Sequence, residues 1–412
     1  MYNIANHYEN IYQHLQTIIT DPTVIYLHPF GSTQPENIET LRDDSDPPDM
    51  RNPPESRGPV FIFYDQEPLN FNYNKNLFDY IVSTTQGPYV LVNTEKDSVE
   101  KDRICDHYKF ASIDYFFHIF AAADWYRGHQ YLPHLVEPAQ RTLNKSYITF
   151  NRLTSNERVY RSIFVSKLFK QGILEHGHVS YSDVCPDNHL PSAENLTKAR
   201  DDRLISSELC ADTIHNITLA QQPNPLRIDF ADQKHIPNQS MALSPLPQLM
   251  ESFVFVVTET CYWQTKTHLT EKIFKPIVLK MPFVLVGCAD NLKYLRNYGF
   301  KTFGDYWDES YDSIQDPIER MDAVVKILNN ISSMSNQQQQ EMLLDMQTIL
   351  EHNYQLFNSP AFIAKEWNTL KQSLTDISKY YRRDIDIPFT INQYRQFIPL
   401  APNEHDSKYV RG

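Results

Sequence analysis

Short runs of β-branched and aromatic residues, each closed by a polar turn, constrain this chain more than any other feature. In the first 150 residues they are TVIYLHP (23–29), VFIFYDQEP (60–68), DYIVST (79–84) and YVLVN (89–93). Successive rather than alternate positions are apolar, so both faces need cover, which is the situation of strands buried in a parallel sheet. FASIDYFFHIFAAADWYRGH (110–129) is apolar enough to be buried helix or strand. Between the first two runs lies NIETLRDDSDPPDMRNPPESRGP (37–59), whose prolines and charges exclude it from a core and predict a surface loop. Its Asp44 and Asp46 read as solvated charges in preference to a metal site.

A second series with the same rhythm begins near residue 146: SYITFNR as strand, SNERVYRSIFVSKLFKQG as amphipathic helix, HVSYSD as the next strand. Residues 184–250 lose periodicity, apart from a helix-compatible piece around Ala193–Cys210, and read as a loop-rich insertion. Order returns with ESFVFVVTET (251–260) as strand, TEKIFKPIVLK (270–280) as helix, MPFVLVG (281–287) as strand and DNLKYLRNYG (290–299) as helix. From Asp316 onward the pattern is helical, including NQQQQEM and SPAFIAKEWNTLKQSL. Two α/β series of this size predict two Rossmann-like domains facing a central cleft, with C-terminal helices. The expected division is 1–142, then 143–355 with the insertion at 184–250, then a helix and tail at 356–412 that pack back on the first domain. At 412 residues, two domains are also what length alone predicts.

Charge and cysteine usage narrow the function classes. The 38 Lys and Arg stand against 51 Asp and Glu, and the net charge of -13 argues against a broad surface for nucleic-acid phosphates. A local basic pocket for a small anion is compatible with it. Five cysteines without CxxC spacing fit neither a disulfide framework nor a zinc site, and predict buried thiols. No apolar run reaches the roughly 18–20 residues of a membrane span, and MYNIANHYENIYQHL lacks the layout of a secretory signal. The expectation is a soluble chain without a membrane span in the cytoplasm, the host's if the source is viral.

Glycine-cradle motifs are absent, as are HExxH, GxSxG and the kinase set. Two strand-to-helix junctions carry cations instead. In FNRLTSNERVYR, Asn151 and Arg152 end a strand, and Arg158 and Arg161 enter the next helix. Guanidinium groups beside free helix N–H donors suit a diphosphate. The same residues also read as a solvated face paired to Glu157. In FVFVVTETCYWQTKTHLTEKIFKPIVLKMPFVLVG, Glu259 follows a strand, Thr270 caps a helix, and Glu271 and Lys272 occupy its first turn. A cation there opposes the helix dipole, which makes sense if an anion docks beside it.

The Arg-bearing βα unit, then F-x-F followed by a Glu, then TEK entering a helix, then PFVLVG, resembles the carboxyl-terminal half of the α1,3-fucosyltransferase family. The likeness spans roughly Tyr147–Gly287 and is strongest in LTEKIFKPI; Thr260 stands where the family has Asn. GFKTFGDYWDESYDSI resembles a segment of viral and bacterial proteins of the same glycosyltransferase-like type. The resemblance implies a GT-B fold and a nucleotide-diphosphate sugar as donor. It implies that Arg158, ahead of Arg152 and Arg161, and Lys272 bind the diphosphate, Glu271 the ribose, and that Glu259 lines the sugar pocket.

The amino-terminal half then holds the acceptor and the base. In VFIFYDQEPL, Asp65 and Glu67 follow an apolar strand, and a partly desolvated carboxylate suits removal of a hydroxyl proton. Glu67 is the first choice and Asp65 the second; a turn-capping Asp and a solvated Glu is the competing reading. Tyr64, Trp125, Tyr126 and Arg127 are candidates for an acceptor wall or for core packing. The expected activity is transfer of a hexosyl, pentosyl or fucosyl group to an acceptor hydroxyl on a glycan, a protein or modified DNA. It is read as inverting and metal-independent, with no cofactor beyond the donor substrate. The alternatives are a phage-type glycosyltransferase acting on hydroxymethylated DNA bases and a non-catalytic nucleotide-sugar-binding protein.

Overall fold

The computed structural model describes residues 7–19, 23–27, 59–126, 136–222, 226 and 246–381. Arg127, the 37–58 loop with Asp44 and Asp46, and most of 223–245 lie outside them. Among the described residues, contacts group the chain into two compact units. One comprises Met1–Trp125, Thr265–His268 and Ser359–Arg411; the other comprises Tyr126–Gln264 and Leu269–Asn358. The divisions thus fall at 125 and 358, beside the 142 and 355 read from the sequence.

The first unit opens with helix α1 (His7–Gln16), strands β1 (Thr23–Tyr26) and β2 (Val60–Tyr64), and helix α2 (Phe71–Thr84). Strand β3 (Tyr89–Asn93), helix α3 (Val99–Tyr108), strand β4 (Ala111–Asp114) and helix α4 (Phe117–Tyr126) follow. The sheet runs β1-β2-β3-β4 and every pair is parallel, with Ile62 beside Leu91 and Leu91 beside Ser112. Strand β2 is buried throughout, as its unbroken apolar run requires.

DYIVST, expected as a strand, is the last turn and a half of α2. The Asn70 side chain caps that helix by accepting from Tyr73 N at 3.0 Å, and Phe71, Asn74, Leu77, Phe78 and Ile81 are buried at helical spacing. Residues 110–129 hold both alternatives in turn, β4 and then α4.

Buried charge closes the carboxyl edge of this sheet. Glu95, just past β3, accepts from Leu69 N at 2.7 Å, from the Ser98 hydroxyl and from Lys266 Nζ at 2.6 Å. Lys101 pairs with Asp114 at 2.6 Å and also donates to the Glu95 carbonyl. Lys266 reaches Glu95 because the Thr265–His268 segment docks on this unit, Lys96 and Thr267 exchanging backbone bonds of 3.0 and 2.8 Å.

The second unit starts with strand β5 (Lys145–Asn151), helix α5 (Tyr160–Lys170), strand β6 (Gly177–Tyr181), and helices α6 (Ser192–Asp201), α7 (Ser207–Ala220) and α8 (Leu246–Met250). Strand β7 (Ser252–Thr258), helix α9 (Phe274–Val278), strand β8 (Phe283–Val286) and helices α10 (Asn291–Asn297), α11 (Pro317–Ser332), α12 (Asn336–Asp345) and α13 (Gln347–Asn358) complete it. Its sheet is also wholly parallel but runs β6-β5-β7-β8. The chain therefore turns back between β5 and β7.

Helix α5, expected to be amphipathic, is buried on nearly all sides, because α7 and α11 both pack on it. Helices α6 and α7 lie inside the stretch read as a loop-rich insertion, so that stretch supplies part of the sheet's helical cover. Gly177 is required where β6 begins: a Cβ there would stand 2.2 Å from the Tyr147 ring. The glutamine run forms α12 behind a capping box of Ser335 and Gln338.

Helix α14 (Pro360–Tyr381) belongs to the first unit, where it packs on α1; His14 Nε2 stands 3.1 Å from the Lys371 carbonyl. Its inward line includes Phe362, Ile363, Leu370, Leu374 and Ile377, with Glu366 among them. All five cysteines are buried, and none is in a disulfide. Among the described residues no helix is long and apolar enough to cross a membrane, and no group of three His, Cys, Asp or Glu residues is placed to hold a metal.

Candidate functional site

A parallel sheet whose strand order reverses leaves a crevice beyond the carboxyl ends of the two strands at the reversal, because their loops depart to opposite sides. In the second unit those strands are β5 and β7, and the residues that end them are Asn151 and Glu259. Asn151 is fully buried; its amide donates to Thr149 Oγ1 at 3.3 Å, and its Oδ1 accepts nothing. Arg152 is exposed. The chain then makes a 3-10 turn, Asn156–Val159, before α5. Arg158 in that turn lies 3.4 Å from Asp187 and is 22% exposed.

Arg161 has a different fate. It is buried, and its guanidinium donates to the carbonyls of Leu153 (3.2 Å), Thr258 (3.0 Å) and Glu259 (3.0 Å) and to Tyr160 Oη. It ties the end of β7 to the start of α5, and its contribution to a ligand is charge rather than a free donor.

Arg320, on the inward face of α11, does the same from the other side. Its Nε donates to Gly287 O at 3.1 Å, and its two amino groups donate to Tyr262 O at 2.7 Å and Ile314 O at 2.6 Å. Between the two guanidinium groups the rings of Tyr160 and Tyr262 stack, 4.4 Å apart and 16° from parallel. Arg320 lies 4.8 Å over Tyr262, and Arg161 lies 5.7 Å from the Tyr160 ring centre. Burial, opposed by Arg161, pushes the Tyr160 phenol up to about 12, so its hydroxyl stays protonated and donates to the Glu259 carbonyl.

The TEK segment sits on this frame. Thr270 starts a 3-10 turn, Glu271–Ile273, where a regular helix start was expected. Pro276 lacks an N–H and crowds the carbonyl four residues before it, so the first turn cannot be α-helical. Glu259 is fully buried, and its carboxylate accepts from Thr270 N (3.2 Å), Thr270 Oγ1 (2.5 Å) and Thr260 N (3.3 Å). Lys272 Nζ donates to Thr260 Oγ1 (3.3 Å), Thr270 Oγ1 (3.2 Å) and Glu271 Oε1 (3.1 Å), and its side chain is 30% exposed. Glu271 is buried. Tyr126, also buried, has its phenol pushed well up by burial and then by the charges of Glu271 and Glu259.

The loop after β8 is fixed by Asp312, whose carboxylate accepts from Leu292 N (2.8 Å) and Lys293 N (2.9 Å) at the start of α10. Gly287 precedes that loop. A Cβ there would meet Asn291 Nδ2 at 2.7 Å and displace that side chain, while Glu259 Cβ, 3.5 Å away, would be in ordinary contact.

Asp65 and Glu67 lie in the first unit, on the turn after β2. Asp65 is fully buried and accepts from the Tyr115 hydroxyl, which stands 3.2 Å from His7 Nε2. Burial holds the His7 imidazole well below its ordinary pKa, so it is neutral. Glu67 is half-buried, and the Gln66 carbonyl between the two acids meets His118 Nε2 at 2.9 Å. Tyr64 is buried and accepts from Asn74 Nδ2 at 2.9 Å, whereas Trp125 is half-buried.

The structure therefore brings Asn151, Arg161, Glu259, Thr270, Glu271 and Lys272 to the loops of one sheet edge. Asp65 and Glu67 belong to the edge of the other sheet. Sequence reasoning missed Arg320, Tyr160 and Tyr262. Arg320 carried a signal, since it is a charge inside the apolar line Met321, Val324, Leu328 and Ile331. The tyrosine stack carried none, because its partners are about a hundred residues apart. Compared with protein-family models, with curated proteins and with solved structures, the chain matches none.

Proposed function

We propose that this chain is a glycosyltransferase that moves a sugar from a nucleotide-diphosphate donor to an acceptor hydroxyl, as the resemblance to α1,3-fucosyltransferases suggests. The observation that carries this reading is the charge at the reversal point of the second sheet. Arg161 and Arg320 are buried there against carbonyls and the Tyr160 hydroxyl, with no carboxylate partner among the described residues, beside the partly exposed Lys272. Two guanidinium charges so placed favour an anion in the crevice.

In the proposed reaction the acceptor oxygen attacks the anomeric carbon, the bond from that carbon to the diphosphate oxygen breaks, and the hydroxyl proton passes to a carboxylate. Lys272 and Arg158 stabilise the diphosphate as it gains charge, taking the part a divalent ion plays in other transferases. Glu67, half-buried on the turn after β2, is the assigned base, and inversion at the anomeric carbon follows from single displacement. The pairing of the two units in one reaction, as in a GT-B enzyme, and a cytoplasmic location belong to the same proposal.

The test is to incubate the protein with UDP-, GDP-, dTDP- and CMP-sugars and follow thermal stabilisation and nucleotide release, with Lys272→Ala in parallel. One donor class should stabilise the wild type and lose its effect in the variant, and turnover should fall by about two orders of magnitude or more. Binding without turnover on any acceptor favours a nucleotide-sugar-binding protein. Turnover only with hydroxymethylated duplex DNA favours the DNA-base transferase. An unchanged rate in Lys272→Ala overturns the site.

A further inference from the structure

The carboxylate of Glu259 is fully buried, and no lysine or arginine pairs with it among the described residues. Neutral donors occupy it: Thr270 N, Thr270 Oγ1 and Thr260 N. A buried charge satisfied only by neutral groups is costly to keep, so what it acts on matters. The threonine hydroxyl has one hydrogen, and at 2.5 Å it goes to Glu259 Oε2. The Thr270 hydroxyl oxygen in turn accepts from Lys272 twice, from Nζ at 3.2 Å and from the backbone N–H at 3.4 Å. The chain of donation thus runs one way, from Lys272 to Thr270 to Glu259.

We propose that Glu259 is a positioning residue that holds the Lys272 ammonium through the Thr270 hydroxyl and does not itself touch the ligand. This revises the part the resemblance gave it, lining the sugar pocket. It rests on the reading of Lys272 as the phosphate contact. By accepting the Thr270 hydroxyl proton, the Glu259 carboxylate makes that oxygen a better acceptor, so the ammonium is drawn to one place, where its charge faces an anion. The ammonium's other two oxygens are Thr260 Oγ1 at 3.3 Å and Glu271 Oε1 at 3.1 Å, and of its three partners Thr270 is the one that links it to Glu259.

The experiment reads Lys272 directly. The folded protein is treated with an acetylating N-hydroxysuccinimide ester, and acylation at each lysine is followed by mass spectrometry. Lys170, 70% exposed, serves as the open reference, and Lys280, 13% exposed and paired with Glu137 and Glu351, as the closed one. In Thr270→Val the Lys272 rate should rise about tenfold, the size expected for losing a hydrogen bond to a charged group, while Lys170 and Lys280 do not change. Thr270→Ser should restore the wild-type rate, and Glu259→Gln should raise it as the valine does. No rise at Lys272, or a rise shared by Lys280, overturns the proposal.

A second arm measures affinity for GDP, UDP and dTDP in the wild type, Lys272→Ala, Thr270→Val and the double variant. Each single change should weaken binding of the preferred nucleotide, and the double variant should be no weaker than Lys272→Ala alone. Additive losses overturn the proposal. If none of the three binds to the wild type, the transferase reading fails, and the acylation rates still decide whether Glu259 positions Lys272.

Discussion

At the carboxyl edge of the first sheet the buried charges answer one another, Glu95 with Lys266 and Asp114 with Lys101, whereas at the edge of the second sheet Arg161 and Arg320 meet carbonyls and the Tyr160 hydroxyl and, among the described residues, no carboxylate. The strand order explains the difference. In β1-β2-β3-β4 the strands follow one another across the sheet, so no two neighbouring strands send their loops to opposite sides, and side chains seal the edge. In β6-β5-β7-β8 the loops after β5 and β7 part, and the guanidinium groups brace the loops without neutralising the gap. A self-neutralised edge contributes to folding and has little left for a ligand. An edge with surplus positive charge has that capacity.

This contrast can be broken at several points. Replacing Glu95 by Ala strands Lys266 in the interior and should lower unfolding free energy by about 3–5 kcal/mol in urea titration, whereas Glu95→Leu with Lys266→Met should recover most of it. A single variant as stable as the wild type would show that water enters this edge. In the second unit, Arg320→Met leaves the carbonyls of Gly287, Tyr262 and Ile314 without their donor and should cost about 2–4 kcal/mol. Because no carboxylate is stranded, no companion substitution should rescue it.

Glu366 sharpens the comparison, since it is an unanswered acid within the first unit, on α14. Its Oε2 is buried without a hydrogen-bond partner among the described residues, and burial, opposed by the charge of Lys365, raises its pKa from 4.5 to about 8. The folded chain therefore keeps a proton that the unfolded chain releases. That contribution is full below about pH 4.5 and is lost as pH rises through about 8. Glu366→Gln should match the wild type near pH 5 and exceed it by on the order of 2 kcal/mol near pH 8, in thermal melts across that range. Equal melts at both ends would show that the acid is ionised throughout. The smallest effect is expected at Lys272, where Ala should change stability by no more than about 0.5 kcal/mol while removing nucleotide stabilisation.

The parallel sheets were legible because β2 and β8 are apolar throughout and β7 is apolar at all but its end residues, Ser252 and Thr258, as strands covered on both faces require. Asp65, Glu67 and Glu259 were singled out because they follow apolar strands, and Thr270, Glu271 and Lys272 because a cation in a helix's first turn opposes its dipole. DYIVST misled because its β-branched residues outweighed the longer helical spacing of Phe71, Leu77, Phe78 and Ile81. Helix α7 runs on to Ala220, past the piece legible at Ala193–Cys210, because its cover comes from α5 and not from its own periodicity. The site's frame was hidden for a similar reason. Tyr160 and Tyr262 are ordinary in their own segments and acquire meaning only on meeting, whereas Arg320 stood out only as a charge within an apolar line.

The buried thiols have a practical consequence. Cys105 belongs to the first unit, and Cys185, Cys210, Cys261 and Cys288 belong to the second. A thiol reagent can reach them only when the surrounding structure opens, so each cysteine times the opening of its own neighbourhood. The chain carries two sets of native stopwatches, and their rates tell whether one half breathes without the other.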